Sequence, residues 1–210
     1  MLQKQAVEPS TLELIKKLQD KDYLYGFHLV GGTALALNIG HRNSIDIDLF
    51  SNFSFETQQL LENLTHDFQF NLFYSANNTL KGSVSNIKLD ILAHRYPYVK
   101  EPLHIEGITM LSVEDIIAMK LNAISVNGQR VKDFIDIYFL LGTFTIEAML
   151  SFYKKKYTLQ NEVNVLKSLI WFNDVDLSDW PVMLKNKELK WNLVKKEITK
   201  SVKIYLKTNL

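Results

Sequence analysis

Residues 45–50 read Ile-Asp-Ile-Asp-Leu-Phe, and this alternation constrains the chain more than any other stretch. Successive side chains of a strand point to opposite faces. Ile45, Ile47 and Leu49 are therefore expected on one face, with Asp46 and Asp48 on the other. The apolar set calls for a core, while the two acids would lie about 6.5–7 Å apart along the strand. Like charges so placed repel unless something positive stands beside them. A hard divalent cation meets that need, because Mg²⁺ binds one or two carboxylates together with substrate phosphates. Two such ions can clamp the attacking and leaving oxygens of a phosphoryl displacement.

Two neighbouring segments strengthen the pattern. In Asn86–Ala93, NIKLDILA, the residues Ile87, Leu89 and Ile91 alternate with Lys88 and Asp90, which puts a third acid on the polar face of a strand. Upstream, the apolar Phe27–Val30 runs into Gly31-Gly32-Thr33, after which Thr33–Ile39 has a helical pattern with Gly40 placed to stop it. Glycines at the start of a helix let backbone N–H groups approach a phosphate, and the hydroxyls of Thr33 or Ser44 suit the same oxyanion. Each element alone has an ordinary reading. A lone Asp is often a strand-end acid bonded to a loop, and Gly-Gly is often a tight turn. Three acids on the polar faces of two strands, with a glycine pair just before, are harder to explain that way.

The remaining pattern sets the architecture. Ser10 followed by TLELIKKLQD reads as a capped helix, residues 55–68 as a helix and residues 68–75 as a strand. Ser112-Val-Glu-Asp115 is a capping box that opens a helix to about Val126, ended by Asn127-Gly128. Helices are expected over Arg130–Leu141, Thr145–Tyr157, Gln160–Phe172 and Trp191–Lys207, with a break at Pro181. Strands first and helices later predict an α+β protein. The expected architecture is a mixed sheet with flanking helices over residues 1–110, then a helical C-terminal portion, 111–210, that completes an active-site cleft.

Composition narrows the chemistry. The absence of cysteine removes disulfides, thiolate nucleophiles and thiolate metal sites. The five histidines form no H-x-x-H or H-E-x-x-H pair of the kind zinc sites use. With no apolar run near the roughly 20 residues of a membrane span and no signal-like start in MLQKQAVEPS, a cytoplasmic protein without membrane association is expected. The net charge of +1 hides an asymmetry: residues 1–150 hold 12 Lys and Arg against 17 Asp and Glu, and residues 151–210 hold 12 Lys against 6 acids. The basic part is either a solvated lysine face or a surface facing something anionic. Trp171, Trp180 and Trp191 lie in the same region, as core or as stacking platforms.

Taken together, GGTALAL…GHRNSIDIDLF, then KLDIL, then a helix bearing Lys120 and the segment RVKDFIDIYFL resemble the AbiEii/AbiGii toxin family. These are nucleotidyltransferases of type IV toxin–antitoxin and abortive-infection systems, within the DNA polymerase β-like superfamily. The likeness implies transfer of an NMP from an NTP to a hydroxyl, with release of pyrophosphate. It also implies dependence on Mg²⁺ (or Mn²⁺), an RNA acceptor such as tRNA, and a cognate antitoxin as partner. By the same resemblance Asp46, Asp48 and Asp90 would be the metal-holding and catalytic acids, with Asp90 the base toward the hydroxyl. Gly31, Gly32, Thr33, Arg42 and Ser44 would contact the triphosphate. Lys120 matches the family's motif lysine, and the family pattern favours Asp133 as functional. The residues themselves leave two alternatives for this helical segment. Lys120 either offsets phosphate charge or snorkels past the core. Asp133 and Asp136, one turn apart, either pair with Lys120 or Arg130 or act on the nucleotide. Two other functions remain beside the main one: an enzyme that modifies a protein acceptor, and a nucleotide- or partner-binding protein of the same fold without turnover.

Overall fold

The computed structural model describes residues 1–158 and 161–209, and the expected start of a helix at Gln160 lies outside them. Seven strands form one mixed sheet: β1 (His28–Leu29), β2 (Ile47–Ser51), β3 (Asn71–Ala76), β4 (Thr79–Val84), β5 (Ile87–Ala93), β6 (Leu103–Ile105) and β7 (Ile108–Met110). Their order is β3-β4-β5-β2-β1-β7-β6. The β2–β5 and β1–β7 pairs are parallel, and the other neighbours are antiparallel. Helices α1 (Pro9–Gln19), α2 (Gly31–Ile39) and α3 (Thr57–Phe68) accompany the sheet, and α4 (Val113–Val126), α5 (Val131–Leu140), α6 (Ile146–Lys156), α7 (Glu162–Leu169) and α8 (Trp191–Asn209) follow it. The fold is α+β, as the sequence pattern predicts. No helix among the described residues is long and apolar enough to cross a membrane.

The chain divides into two compact units, Met1–Pro97 with Glu101–Leu111, and Tyr98–Lys100 with Ser112–Leu210. The first holds the sheet. Leu29, Ile47, Leu49, Leu89, Ile91 and Met110 are fully buried and form the centre of its core. Ile45 does not join them. It is 62% exposed, because β2 begins only at Ile47 and the preceding residues belong to the loop from α2. Helix α1 starts two residues earlier than Ser10 capping would give, with Pro9 in the first turn, where its missing N–H costs nothing.

Three strands have no counterpart in the sequence reading. Strand β4, TLKGSV, is polar and contains Gly82, features that weaken a strand pattern. That glycine is required by its neighbours: a Cβ there would lie 2.3 Å from the carbonyl oxygen of Asn71 and 2.4 Å from the Phe70 ring. Strands β6 and β7 are three residues each, too short to show a period. They are joined by Glu106-Gly107 at φ of 54° and 80°, the left-handed pair that a tight hairpin demands. At the other end of the sheet, edge strand β3 leaves Leu72, Phe73 and Tyr74 all exposed.

The helical unit is organised by a buried acid. Ser112 caps α4: its hydroxyl accepts from the Asp115 N–H at 3.0 Å and donates to the Asp115 carboxylate at 2.7 Å. The same carboxylate accepts from the N–H groups of Val99 (2.9 Å) and Lys100 (3.1 Å) and from Lys156 Nζ at 2.7 Å. Asp115 and Lys156 side chains are 0% and 1% exposed. Burial pushes the Asp115 carboxyl up, but the Lys156 ammonium, the two N–H groups and the Ser112 hydroxyl outweigh it and hold the group below its usual range. Because the folded value is the lower one, the stabilisation is present above the unfolded carboxyl pKa of about 3.9 and is lost as pH falls below it. Lys156→Met leaves that carboxylate buried without its cation and should cost about 3–5 kcal/mol in urea unfolding at pH 7. Asp115→Asn/Lys156→Met should cost less than Lys156→Met alone. The stability gap between wild type and Asp115→Asn should stay constant above about pH 4 and narrow below it.

Candidate functional site

Strands β2 and β5 run parallel with Asp48 directly opposite Asp90. Neighbouring strands lie about 4.8 Å apart, so this register sets the two acids side by side on one face of the sheet. Ile47, Leu49, Leu89 and Ile91 fill the core on the other face. Asp90 is buried, and its Oδ1 has no hydrogen-bond partner. Its Oδ2 lies 3.4 Å from Lys88 Nζ and 3.9 Å from Lys81 Nζ. Lys81 is a partner the sequence reading missed, because it stands on the unforeseen strand β4 opposite Asp90.

Gly31 holds the other side of the site. Its φ is +68°, and a Cβ there would lie 2.5 Å from Asp48 Oδ2. The glycine thus lets the carboxylate reach the first turn of α2. Both glycines lie inside the helix rather than before it, and Val30 provides no side-chain cap. The first N–H groups of α2 are left for another acceptor, with the positive end of the helix dipole behind them. A Cβ on Gly32 would lie 2.6 Å from Arg42 Nη2, which brings a buried guanidinium to the same turn. Thr33, Arg42 and Ser44 are all buried. The Thr33 hydroxyl donates to the Asp46 carbonyl oxygen and shares a 2.9 Å hydrogen bond with the Ser44 hydroxyl, while Arg42 Nη1 donates to the Asn43 carbonyl oxygen at 3.1 Å. These three side chains hold the α2–β2 loop, and with it Asp46, just ahead of β2.

Among the described residues no group of three acids or histidines is gathered as a metal site. Asp48 and Asp90 are adjacent, whereas Asp46 lies outside the strand. The residues present still suit a hard divalent cation: two carboxylates at one register position, one of them with an orphaned oxygen, beside an anion-favouring helix start. Mg²⁺ commonly takes one or two protein carboxylates and completes its shell with water and substrate phosphate.

Lys120 and Asp133 belong to the helical unit. Lys120 Nζ, on α4, lies 2.5 Å from Asp133 and 2.7 Å from Asp136, both on α5, and all three side chains are buried. Arg130 Nε stands 3.9 Å from Asp133 Oδ2. Of the alternatives open in the sequence, the structure displays the ion pairs: one lysine between two carboxylates. Trp191 is packed edge-on against Phe134 (5.8 Å) and Phe172 (5.6 Å), a core role rather than an open platform. Trp171 is 58% exposed, its Nε1 donating to Asp174 at 2.8 Å.

A mixed sheet with paired acids on adjacent parallel strands, beside a glycine-opened helix, is an arrangement suited to nucleotidyl transfer. The chain belongs to the family described as nucleotidyl transferase AbiEii toxin, type IV TA system, whose model matches residues 13–201. It is 28% identical over 200 residues to the uncharacterized protein aq_aa25 of Aquifex aeolicus (strain VF5), covering 92% of this chain and 95% of that one. The fold is shared with MenT4, a nucleotidyltransferase toxin from Mycobacterium tuberculosis H37Rv, at a TM-score of 0.58 and 14% identity over 97% of this chain and 86% of that one. A crystal structure of an H. pylori protein assigned to the nucleotidyltransferases gives 0.55 and 17% over 96% of each chain.

The closeness of Gly31 to Asp48 yields a test. Gly31→Ala adds a clash to a left-handed backbone position that costs an L-residue about 1–2 kcal/mol. It should lower stability by more than that, read as a shift of the urea midpoint. In an Asp48→Ala background the excess should vanish and leave only the backbone cost.

Proposed function

We propose that this protein transfers an NMP from an NTP to a hydroxyl of RNA, with tRNA as the acceptor class, using Mg²⁺ or Mn²⁺ held by Asp48, Asp90 and Asp46. The observation that carries this reading is the β2–β5 register that sets Asp48 opposite Asp90. In the reaction the acceptor oxygen bonds to the α-phosphorus, the bond from that phosphorus to the bridging oxygen breaks, and pyrophosphate leaves. Asp90 takes the hydroxyl proton through its unpartnered buried Oδ1. The open N–H groups of Gly31, Gly32 and Thr33 receive the phosphate oxygens, with Arg42 adding a fixed positive charge behind them. Thr33 and Ser44 act by keeping that loop in place. A bound divalent ion supplies charge neutralisation at the phosphates and polarises the scissile bond. Within the same proposal Lys120 offsets phosphate charge, with Asp133 and Asp136 setting its position, and a cognate antitoxin is the regulatory partner. The reaction runs in the cytoplasm.

The metal and the nucleotide complete one another's site, so Mg²⁺ with an NTP should raise the melting temperature more than the sum of either alone. Asp48→Asn should abolish this synergy while the apo protein melts no lower than wild type. Label transfer from an α-³²P-NTP mixture to tRNA should fall by about 10²–10³ or more in Asp48→Asn, and by about 10²–10⁴ in Asp90→Asn through loss of the base. An Asp48→Asn protein that retains both the synergy and the transfer would refute this reading.

A further inference from the structure

The last helix carries a feature that the transfer chemistry does not use. Helix α8 buries Val194, Ile198 and Val202, spaced four residues apart, against the helical unit. On another face Lys195, Lys196, Lys200, Lys203 and Lys207 line a groove of about 700 Å³. From Lys195 to Lys207 this row spans about 18 Å at the helical rise of 1.5 Å per residue. Four of the five are exposed and Lys195 is half-buried. Among the described residues, Lys200 alone of the five has an acid within ion-pairing distance, Glu197 at 3.7 Å, an exposed pair of little strength. A solvated surface helix normally intersperses acids among its lysines. Here five cations converge on one concave surface, and the repulsion among them is relieved when a polyanion enters.

The lining also says what part of a polyanion is read. All 12 basic residues between 151 and 210 are lysines, with no arginine among them. Lysine presents a point charge, without the planar fork that pairs with a guanine edge. Nor is there an open aromatic platform: Phe172, the ring that lines the groove, is engaged edge-on by Trp191 at 5.6 Å and tilted against Phe134 at 5.6 Å. Such a surface holds phosphates and leaves the bases unread.

We propose that the lysine face of α8 is the docking surface for the phosphate backbone of the RNA acceptor, and that it grips RNA without regard to base sequence. The proposal rests on the reading of RNA as acceptor and adds where that RNA is held and by which of its groups. The full chain carrying Lys195→Gln, Lys196→Gln, Lys200→Gln, Lys203→Gln and Lys207→Gln is titrated with fluorescent tRNA across a salt series. Each lost phosphate contact flattens the slope of log affinity against log salt by about 0.7–0.9. The five changes should therefore reduce the slope by roughly 3.5 to 4.5 units and weaken binding at 0.1 M salt by about tenfold or more. The matching five-arginine variant should retain both, and Lys185→Gln/Lys187→Gln, outside the groove, should alter neither. RNAs of equal length and different sequence should bind wild type alike. Unchanged affinity and slope in the glutamine variant, or loss in the arginine variant equal to it, overturns the proposal, as does strong preference for one sequence. Label transfer separates this from the reading beneath it. Wild type that transfers to RNA with no contribution from the groove keeps the enzyme and loses the docking surface. Wild type that binds RNA through the groove and transfers nothing keeps the docking surface and loses the acceptor.

Discussion

The parallel pairing of β2 with β5 is the constraint from which the site follows. In a parallel ladder the register decides which side chains become neighbours, and a shift of one residue would send Asp90 to the core face and leave Asp48 alone. That register is fixed from the other side of the sheet. Ile47, Leu49, Leu89 and Ile91 must reach the core together, which keeps both acids on the opposite face. Apolar burial thus keeps the polar pair on the face away from the core. Antiparallel β4 then adds Lys81 beside Asp90. Gly31, at its left-handed φ, lets α2 begin against the Asp48 carboxylate.

The helical unit uses charge differently. In the sheet unit Asp90 keeps an oxygen without a partner, whereas the Asp115 carboxylate accepts four hydrogen bonds, from the Ser112 hydroxyl, the Val99 and Lys100 N–H groups and Lys156 Nζ. The Lys120 cluster is intermediate. One ammonium serves two carboxylates, and Asp133 Oδ2 is left with only the distant Arg130. Fully matched charges stabilise a fold, and incompletely matched ones are where a ligand can still contribute. By that measure Asp90 is open to a ligand and Asp115 is not.

Much of this was legible in the sequence because it depends on local spacing. The alternation around Asp48 and Asp90, the capping box at Ser112 and the stop at Gly40 are each set by a few adjacent residues, and each appears in the structure. What escaped depends on partners far along the chain. Strand β4 is polar and exists as a strand because β3 and β5 flank it. Strands β6 and β7 are too short to carry a period. Ile45 fits the alternation yet is exposed, because the loop from α2 and not the pattern decides where β2 begins. The packing of Lys120 between two acids of the next helix is likewise a matter of helix placement, which spacing alone left open.

The segment Tyr98–Lys100 belongs to the helical unit although residues on both sides of it belong to the sheet. Two of its N–H groups, from Val99 and Lys100, are spent on the Asp115 carboxylate in the first turn of α4, and Val99 also offers its carbonyl oxygen to Lys155 Nζ at 2.6 Å. The chain thus passes from one unit to the other, returns, and passes again. A gene split at residue 111 would hand the three-residue strap to the wrong fragment. Neither half would then be a self-sufficient module, and recombination that shuffles helical portions among relatives would have to carry the strap along or rebuild it. The helical unit thus depends on three residues encoded within the stretch that builds the sheet.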